Sequence, residues 1–272
     1  MENINKPFNF TGKTVFVAGG TSGINFGIAE NFAESGANVG VLSRSQDKVD
    51  SAVEKLQAHG IKSLGFSADV RDYEAVENAF VETAKALGKI DILVSGAAGN
   101  FPARATDMSP NAFKSVIDID LLGSYHVMRA AWPHLLKPGA SVINISAPQA
   151  FVPMQLQSHV CAAKAGVDML TRTLAMEWGD LGVRVNSIVP GPIKDTEGML
   201  RLAPTKEMIA AVKDSVPLKQ LGSCDDIGNA AMFLASPMAS YISGVILPVD
   251  GGWSLNGAGS MMDALAKQFA KS

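Results

Sequence analysis

The run Ala18-Gly19-Gly20-Thr21-Ser22-Gly23-Ile24-Asn25-Phe26-Gly27 has the composition of a loop built to meet phosphate. Glycines let a backbone turn tightly and approach a pyrophosphate, and the amides and dipole of a following helix favour its charge. Gly19 and Gly23 fit a G-x-x-x-G-x-G spacing whose last position is Asn25. A side chain there can narrow the phosphate pocket, although Asn tolerates unusual backbone angles better than most residues. Gly19, Thr21, Ser22, Gly23 and Ile24 are therefore the expected cradle of a dinucleotide. Farther on, Val41-Leu42-Ser43-Arg44-Ser45 carries no Asp or Glu where an NAD site usually places one on the ribose diol. Arg44, flanked by Ser43 and Ser45, offers a guanidinium that matches a 2′-phosphate bidentately, so the reading favours NADPH over NADH. The alternative is a solvated loop arginine. Asp69-Val70 is expected to meet the adenine edge.

Three further charged residues stand out. Asp120 falls on the helical stripe Phe113, Ile117, Ser124, Met128, where an acid on a largely apolar face needs a partner or a function. Lys164 and Asp168 are four apart on one helix face, a spacing that equally fits an ordinary surface pair worth about 0.3 kcal/mol. His159 is read as a hydrogen-bonded structural residue. Neither Cys161 nor Cys224 belongs to a CxxC pair or a metal-ligand spacing, so neither a disulfide framework nor a metal site is expected.

The elements that must position these groups follow from periodicity. Seven β-branched runs read as strands: Thr14 to Val17, Ala37 to Leu42, Ser63 to Phe66, Ile90 to Val94, Ser141 to Ile145, Val183 to Val189 and Val245 to Val249. Amphipathic helical patterns lie between most of them, the βαβ rhythm of a parallel sheet covered on both faces. The expected fold is α/β: one Rossmann-like, doubly wound domain over residues 1–272. Two segments depart from the rhythm. A flap at about 191–217 follows the turn-forming Pro190-Gly191-Pro192, contains an amphipathic piece at Met208 to Val212, and is expected to cover a crevice at the strands' carboxyl ends. A helical tail is expected at about 259–272, with a stripe of Met261, Leu265 and Phe269 that packs on its own or a partner subunit rather than on a membrane.

Composition excludes several classes. With 47% hydrophobic and 18% charged residues, the 272-residue chain buries a full core and is neither disordered nor collagen-like. Its 23 basic and 26 acidic residues offer no broad positive field, so nucleic acid is not an expected partner. The uncharged stretch Gly139 to Ala163 is broken by Asn144, Gln149, Gln155, Gln157 and His159, among others, and no membrane span is expected. Met1 to Phe10 lacks an apolar core and a small-residue cleavage site, so a cytosolic location is expected.

These residues, together with Ala97-Ala98-Gly99-Asn100-Phe101, Lys164, Arg184-Val185-Asn186 and Pro190-Gly191-Pro192, resemble the short-chain dehydrogenase/reductase superfamily over about Gly12 to Trp253. The resemblance implies that Ala97, Lys164, Pro190, Gly191 and Ile193 also meet the cofactor. In ordinary members a Tyr four residues before the lysine moves the proton, a Ser orients the substrate and an Asn supports a water chain. Here those positions hold Val160, Ala147 with Ser146 beside it, and Asp120. Valine transfers no proton, so the usual tyrosine mechanism is not available.

The pattern of the loss is itself informative. Gln157-Ser158-His159-Val160-Cys161-Ala162-Ala163-Lys164, Ala175-Met176-Glu177-Trp178-Gly179 and Pro190 to Gly198 look like the 2,4-dienoyl-CoA reductases, especially the peroxisomal type. That resemblance implies a catalytic set of Asp120, Lys164 and Asp168, with Asn100, Phe101 and Ser146 on the substrate. It implies a CoA-linked acyl thioester as substrate and a homotetramer that pairs through the helices near Pro110 to Leu135 and Gln157 to Gly179. The terminal Ala270-Lys271-Ser272 departs from an S-K-L-type address, in keeping with the cytosolic expectation. The expected activity is NADPH-dependent reduction of an unsaturated acyl thioester, a 2,4-dienoyl-CoA by the resemblance, with the proton coming through a water held at an Asp120/Lys164 site. Two other readings stand beside it: a reductase of another enoyl or carbonyl substrate, and a catalytically silent nucleotide-binding regulatory or assembly subunit.

Overall fold

A computed structural model describes residues 8–203 and 205–256. All seven expected strands form, with bounds shifted by at most two residues: β1 (Thr14–Ala18), β2 (Asn38–Ser43), β3 (Ser63–Ser67), β4 (Ile92–Ser95), β5 (Ser141–Ile145), β6 (Arg184–Pro190) and β7 (Ile246–Val249). They make one sheet in the order β3-β2-β1-β4-β5-β6-β7, and every pair is parallel. Such strands are buried on both faces: β1 and β5 are buried at every residue, and β1 reads as an apolar run rather than as alternation.

One face is covered by α1 (Gly23–Glu34), α2 (Gln46–Gln57) and α9 (Cys224–Ala235), whose Ile28, Phe32, Leu56 and Ile227 share a core with Val15, Val39 and Ile143. The other face is covered by α3 (Tyr73–Leu87), α5 (Gly123–Ala131) and α6 (Ser158–Trp178), centred on Phe16, Phe80, Leu93 and Met128. Phe16 and Phe80 lie 4.3 Å apart between ring centroids. Each such fully buried side chain contributes roughly 1.5–3 kcal/mol of hydrophobic stabilisation, so the two faces clamp the sheet.

Two departures from regularity matter for the site. Between α4 (Pro110–Val116) and α5 the chain does not run on as an ordinary helix but widens into a π-helical turn, Ile117–Leu122, that carries Asp120. The segment after β6 folds into α7 (Glu197–Leu202) and α8 (Lys206–Ser215), and its two ends are pinned together. Lys194 N–H donates to the Gly222 carbonyl at 2.9 Å, and Gly222 N–H donates to the Pro192 carbonyl at 3.0 Å. The tail expected at 259–272 lies outside the described residues. Among the described residues no helix is long and apolar enough to cross a membrane.

Candidate active site

The carboxyl ends of β1, β2, β4, β5 and β6 open onto a crevice of about 780 Å³. Of the expected cofactor residues, Gly19, Thr21, Ser22, Gly23 and Ile24 line it from the glycine loop, and Ser43, Arg44, Asp69 and Val70 line it from the ends of β2 and β3. Ala97, Lys164, Pro190, Gly191 and Ile193 complete that wall. The residues present fit a dinucleotide. Ser22, at the N-cap of α1, makes no side-chain cap bond, whereas Ser45, Asp72, Ser109 and Ser223 all cap their helices. The first amides of α1 are thus left for an anion. At the end of β2 the exposed Arg44 makes no ion pair among the described residues. Asp69 is engaged elsewhere: its carboxylate accepts from Arg71 Nε at 3.0 Å and Nη2 at 2.7 Å, and that guanidinium holds its carboxyl below the usual range.

Asp120 is 1% exposed. Its Oδ1 accepts the Gly99 N–H at 2.7 Å, while its Oδ2 lies 3.4 Å from Lys164 Nζ and accepts no hydrogen bond among the described residues. Lys164, equally buried, also donates to the Ile145 carbonyl at the end of β5, at 3.1 Å. A buried ion pair survives desolvation only when further hydrogen bonds support it, and here Gly99 and Ile145 supply one on each side. The pairing is not the one the helical spacing offers. Lys164 and Asp168 share α6, yet the lysine turns to Asp120, and Asp168 accepts from Ser187 Oγ on β6 at 3.2 Å. Neither is the exposed surface residue that the spacing also allowed. Burial pushes the Asp168 carboxyl upward in pKa, against the opposing influence of the nearby Ser146 and Ser187 hydroxyls.

Asn100 and Ser146 line the crevice, and among the described residues Asn100 Oδ1 and Ser146 Oγ are buried with no hydrogen bond of standard geometry. Phe101 and Asp168 do not line it. Phe101 instead packs behind the wall on Val116, Val160 and Ala163. His159 differs from its expected role. Its ring is fully buried against Phe101 at 4.5 Å between centroids, and neither nitrogen has a hydrogen-bond partner among the described residues. Val160 faces the crevice beside Lys164, one helical turn away. The lid contributes Thr196, Met199, Leu200 and Val212, and Trp253 after β7 closes the end. Trp253 Nε1 donates to Ser215 Oγ of α8 at 3.0 Å, and so ties the lid to the sheet side of the crevice.

Residues 18–254 match a family model described as enoyl-(acyl carrier protein) reductase. A peroxisomal 2,4-dienoyl-CoA reductase that produces (3E)-enoyl-CoA, from Arabidopsis thaliana, is 39% identical and covers 100% of this chain and 94% of its own. Its namesake from Rattus norvegicus is 45% identical over 88% of this chain and 83% of its own. Among solved structures, a short chain dehydrogenase from Bacillus anthracis superposes with a TM-score of 0.82 at 35% identity, over 89% of this chain and 96% of that one. The chain belongs to the short-chain dehydrogenase/reductase family of oxidoreductases. The two relatives carry peroxisomal names, which overturns the cytosolic location expected from the first residues and from Ala270-Lys271-Ser272. A short address is read by a receptor rather than dictated by the fold, so departure from one tripeptide does not set the compartment.

Proposed function

We propose that this protein reduces 2,4-dienoyl-CoA thioesters with NADPH, using a water held by Asp120 and Lys164 as the acid. The observation that carries the reading is the buried Asp120–Lys164 pair at the crevice, with Asp120 Oδ2 beside the ammonium and accepting no hydrogen bond among the described residues. When bound, NADPH supplies a hydride for the far end of the conjugated system. The thioester carbonyl acts as the electron sink, and the remaining task of the protein is to deliver one proton to the α-carbon. That position of protonation gives a 3-enoyl product, the product in the names of the two relatives. A proton bound for carbon needs no phenol on a carbonyl oxygen, so Val160 in the usual tyrosine position is compatible with turnover. Lys164 fixes the carboxylate and donates to the water, Asp120 Oδ2 orients it, and Asp168 supports α6 from below through Ser187.

The lid of α7 and α8 closes the acyl slot, with Asn100 and Ser146 offering polar atoms to the thioester and Phe101 shaping the wall from behind. Arg44 takes the 2′-phosphate. The assembly is a homotetramer built on α4, α5 and α6, where Phe113, Tyr125, Met169 and Met176 leave apolar surface exposed.

The test is substitution of the pair. Asp120→Ala lowers turnover of a 2,4-dienoyl-CoA by about 10²- to 10⁴-fold with NADPH affinity nearly unchanged, because only the acid is lost. Lys164→Ala lowers both. A loss for Asp120→Ala under roughly threefold makes Asp120 a structural residue and sends the proton elsewhere.

A further inference from the structure

Asn25 stands where the glycine spacing leads one to expect a third glycine, yet its side chain is not simply an obstruction. Three residues into α1, its Nδ2 donates to the Gly96 carbonyl just beyond β4, at 2.7 Å. The opposite amide orientation would set two acceptors face to face, so the Gly96 carbonyl fixes which end points where. The contact is a tight fit on both sides. A Cβ built on Gly96 would lie 2.2 Å from Asn25 Oδ1, and one on Gly19, whose φ is +79°, would lie 3.1 Å from Nδ2 and 2.9 Å from Ala97 N. Glycine at 19 and at 96 makes room for asparagine at 25. Beyond Gly96 the chain runs three residues to Gly99, whose N–H holds Asp120 Oδ1 at 2.7 Å. Asp120 in turn meets Lys164.

We infer that Asn25 is a positioning residue that braces the phosphate-side glycine loop against the Gly96–Gly99 segment, and so sets both the cofactor cradle and the Asp120 carboxylate. The inference rests on the reading that Asp120 organises the acid. It also opposes the expectation from sequence pattern alone: installing the third glycine removes the brace instead of relieving the pocket.

The experiment compares Asn25→Gly and Asn25→Ala with the parent, each alone and in an Asp120→Ala background. NADPH affinity is read by cofactor fluorescence titration, and turnover of a 2,4-dienoyl-CoA is read at saturating NADPH. Loss of one well-made hydrogen bond to a buried carbonyl predicts about 3- to 10-fold weaker NADPH binding in both backgrounds. Turnover falls by a similar factor in the parent background and by less than about twofold once Asp120 is gone, because residues that act through one another are not additive. Ala, which keeps the helix and removes the amide, behaves as Gly does. NADPH binding as tight as the parent's in Asn25→Gly overturns the brace. Equal fractional loss of turnover in both backgrounds overturns the link to Asp120, and a loss in Gly without one in Ala assigns the effect to backbone freedom and overturns the role of the amide. If the parent itself turns over no dienoyl-CoA, the underlying reading has failed and the link to the acid falls with it, while the NADPH titration still judges the loop.

Discussion

A carboxylate with 1% of its surface exposed, one oxygen on a backbone amide and the other 3.4 Å from a lysine, is held in place at some cost. Removing either partner of a buried pair leaves an uncompensated charge, so evolution of a purely structural pair has no advantage over apolar residues of the same volume. The position of the Asp120–Lys164 pair on the crevice wall supplies the reason to keep it. Asp168 is a different case. Burial raises its pKa in the folded chain, so below the ordinary carboxylate range it is protonated in both states, and its contribution to stability is lost as pH rises through the raised folded value. Asp168→Asn, which cannot ionise, therefore gains stability relative to the parent between about pH 4 and about pH 7, and paired thermal unfolding curves at the two pH values measure it. A gap that stays constant or reverses would mean that Ser187 and the neighbouring cations hold the carboxylate charged. Asp120 was legible in the sequence, because an acid on the stripe Phe113, Ile117, Ser124, Met128 requires an explanation. Its partner came from the family resemblance, which set Lys164 with Asp120, and not from spacing, which paired Lys164 with Asp168 on the same helix.

The strands and most helices follow from patterns that repeat over many residues, such as the apolar run Val15 to Ala18 of β1. The π-helical turn at Ile117–Leu122 leaves no such trace, since one extra residue per turn changes the backbone ring size without changing side-chain composition. Phe101 shows the same limit from the other side: its type suits an acyl slot, but packing against Val160 and His159 draws it behind the wall. The turn between β2 and α2 carries the prediction that belongs to this scale. Ser43 and Arg44 face the crevice, the carboxylate of Asp69 after β3 is occupied by Arg71, and no acid ends β2. NADPH is therefore expected to bind more tightly than NADH, and Arg44→Ala to erase that preference, which titration of both cofactors on both proteins checks. Equal affinity in the parent, or an unchanged preference in the variant, would remove the 2′-phosphate from this turn.

For the molecule as a whole, seven parallel strands covered on both faces were legible because alternating strands and helices admit few topologies, whereas the strand order that opens the crevice comes from the structure. What joins distant parts was not legible either: Asn25 and Gly96 are far apart in sequence and touch only when β1 and β4 lie side by side. The exposed Met169, Met176 and Tyr125 on α6 and α5 predict association, and light scattering at micromolar concentration is expected to give four times the mass of one chain. A monomeric mass across that range would contradict the tetramer. The central claim concerns what is reduced. NADPH oxidation by the purified protein, followed with a 2,4-dienoyl-CoA and a 3-oxoacyl-CoA under the same conditions, is expected to be fast with the dienoyl thioester and at least about tenfold slower with the 3-oxoacyl thioester, because the site supplies a proton to carbon and no phenol to an oxygen. Rapid reduction of the 3-oxoacyl thioester with the dienoyl thioester untouched would contradict it.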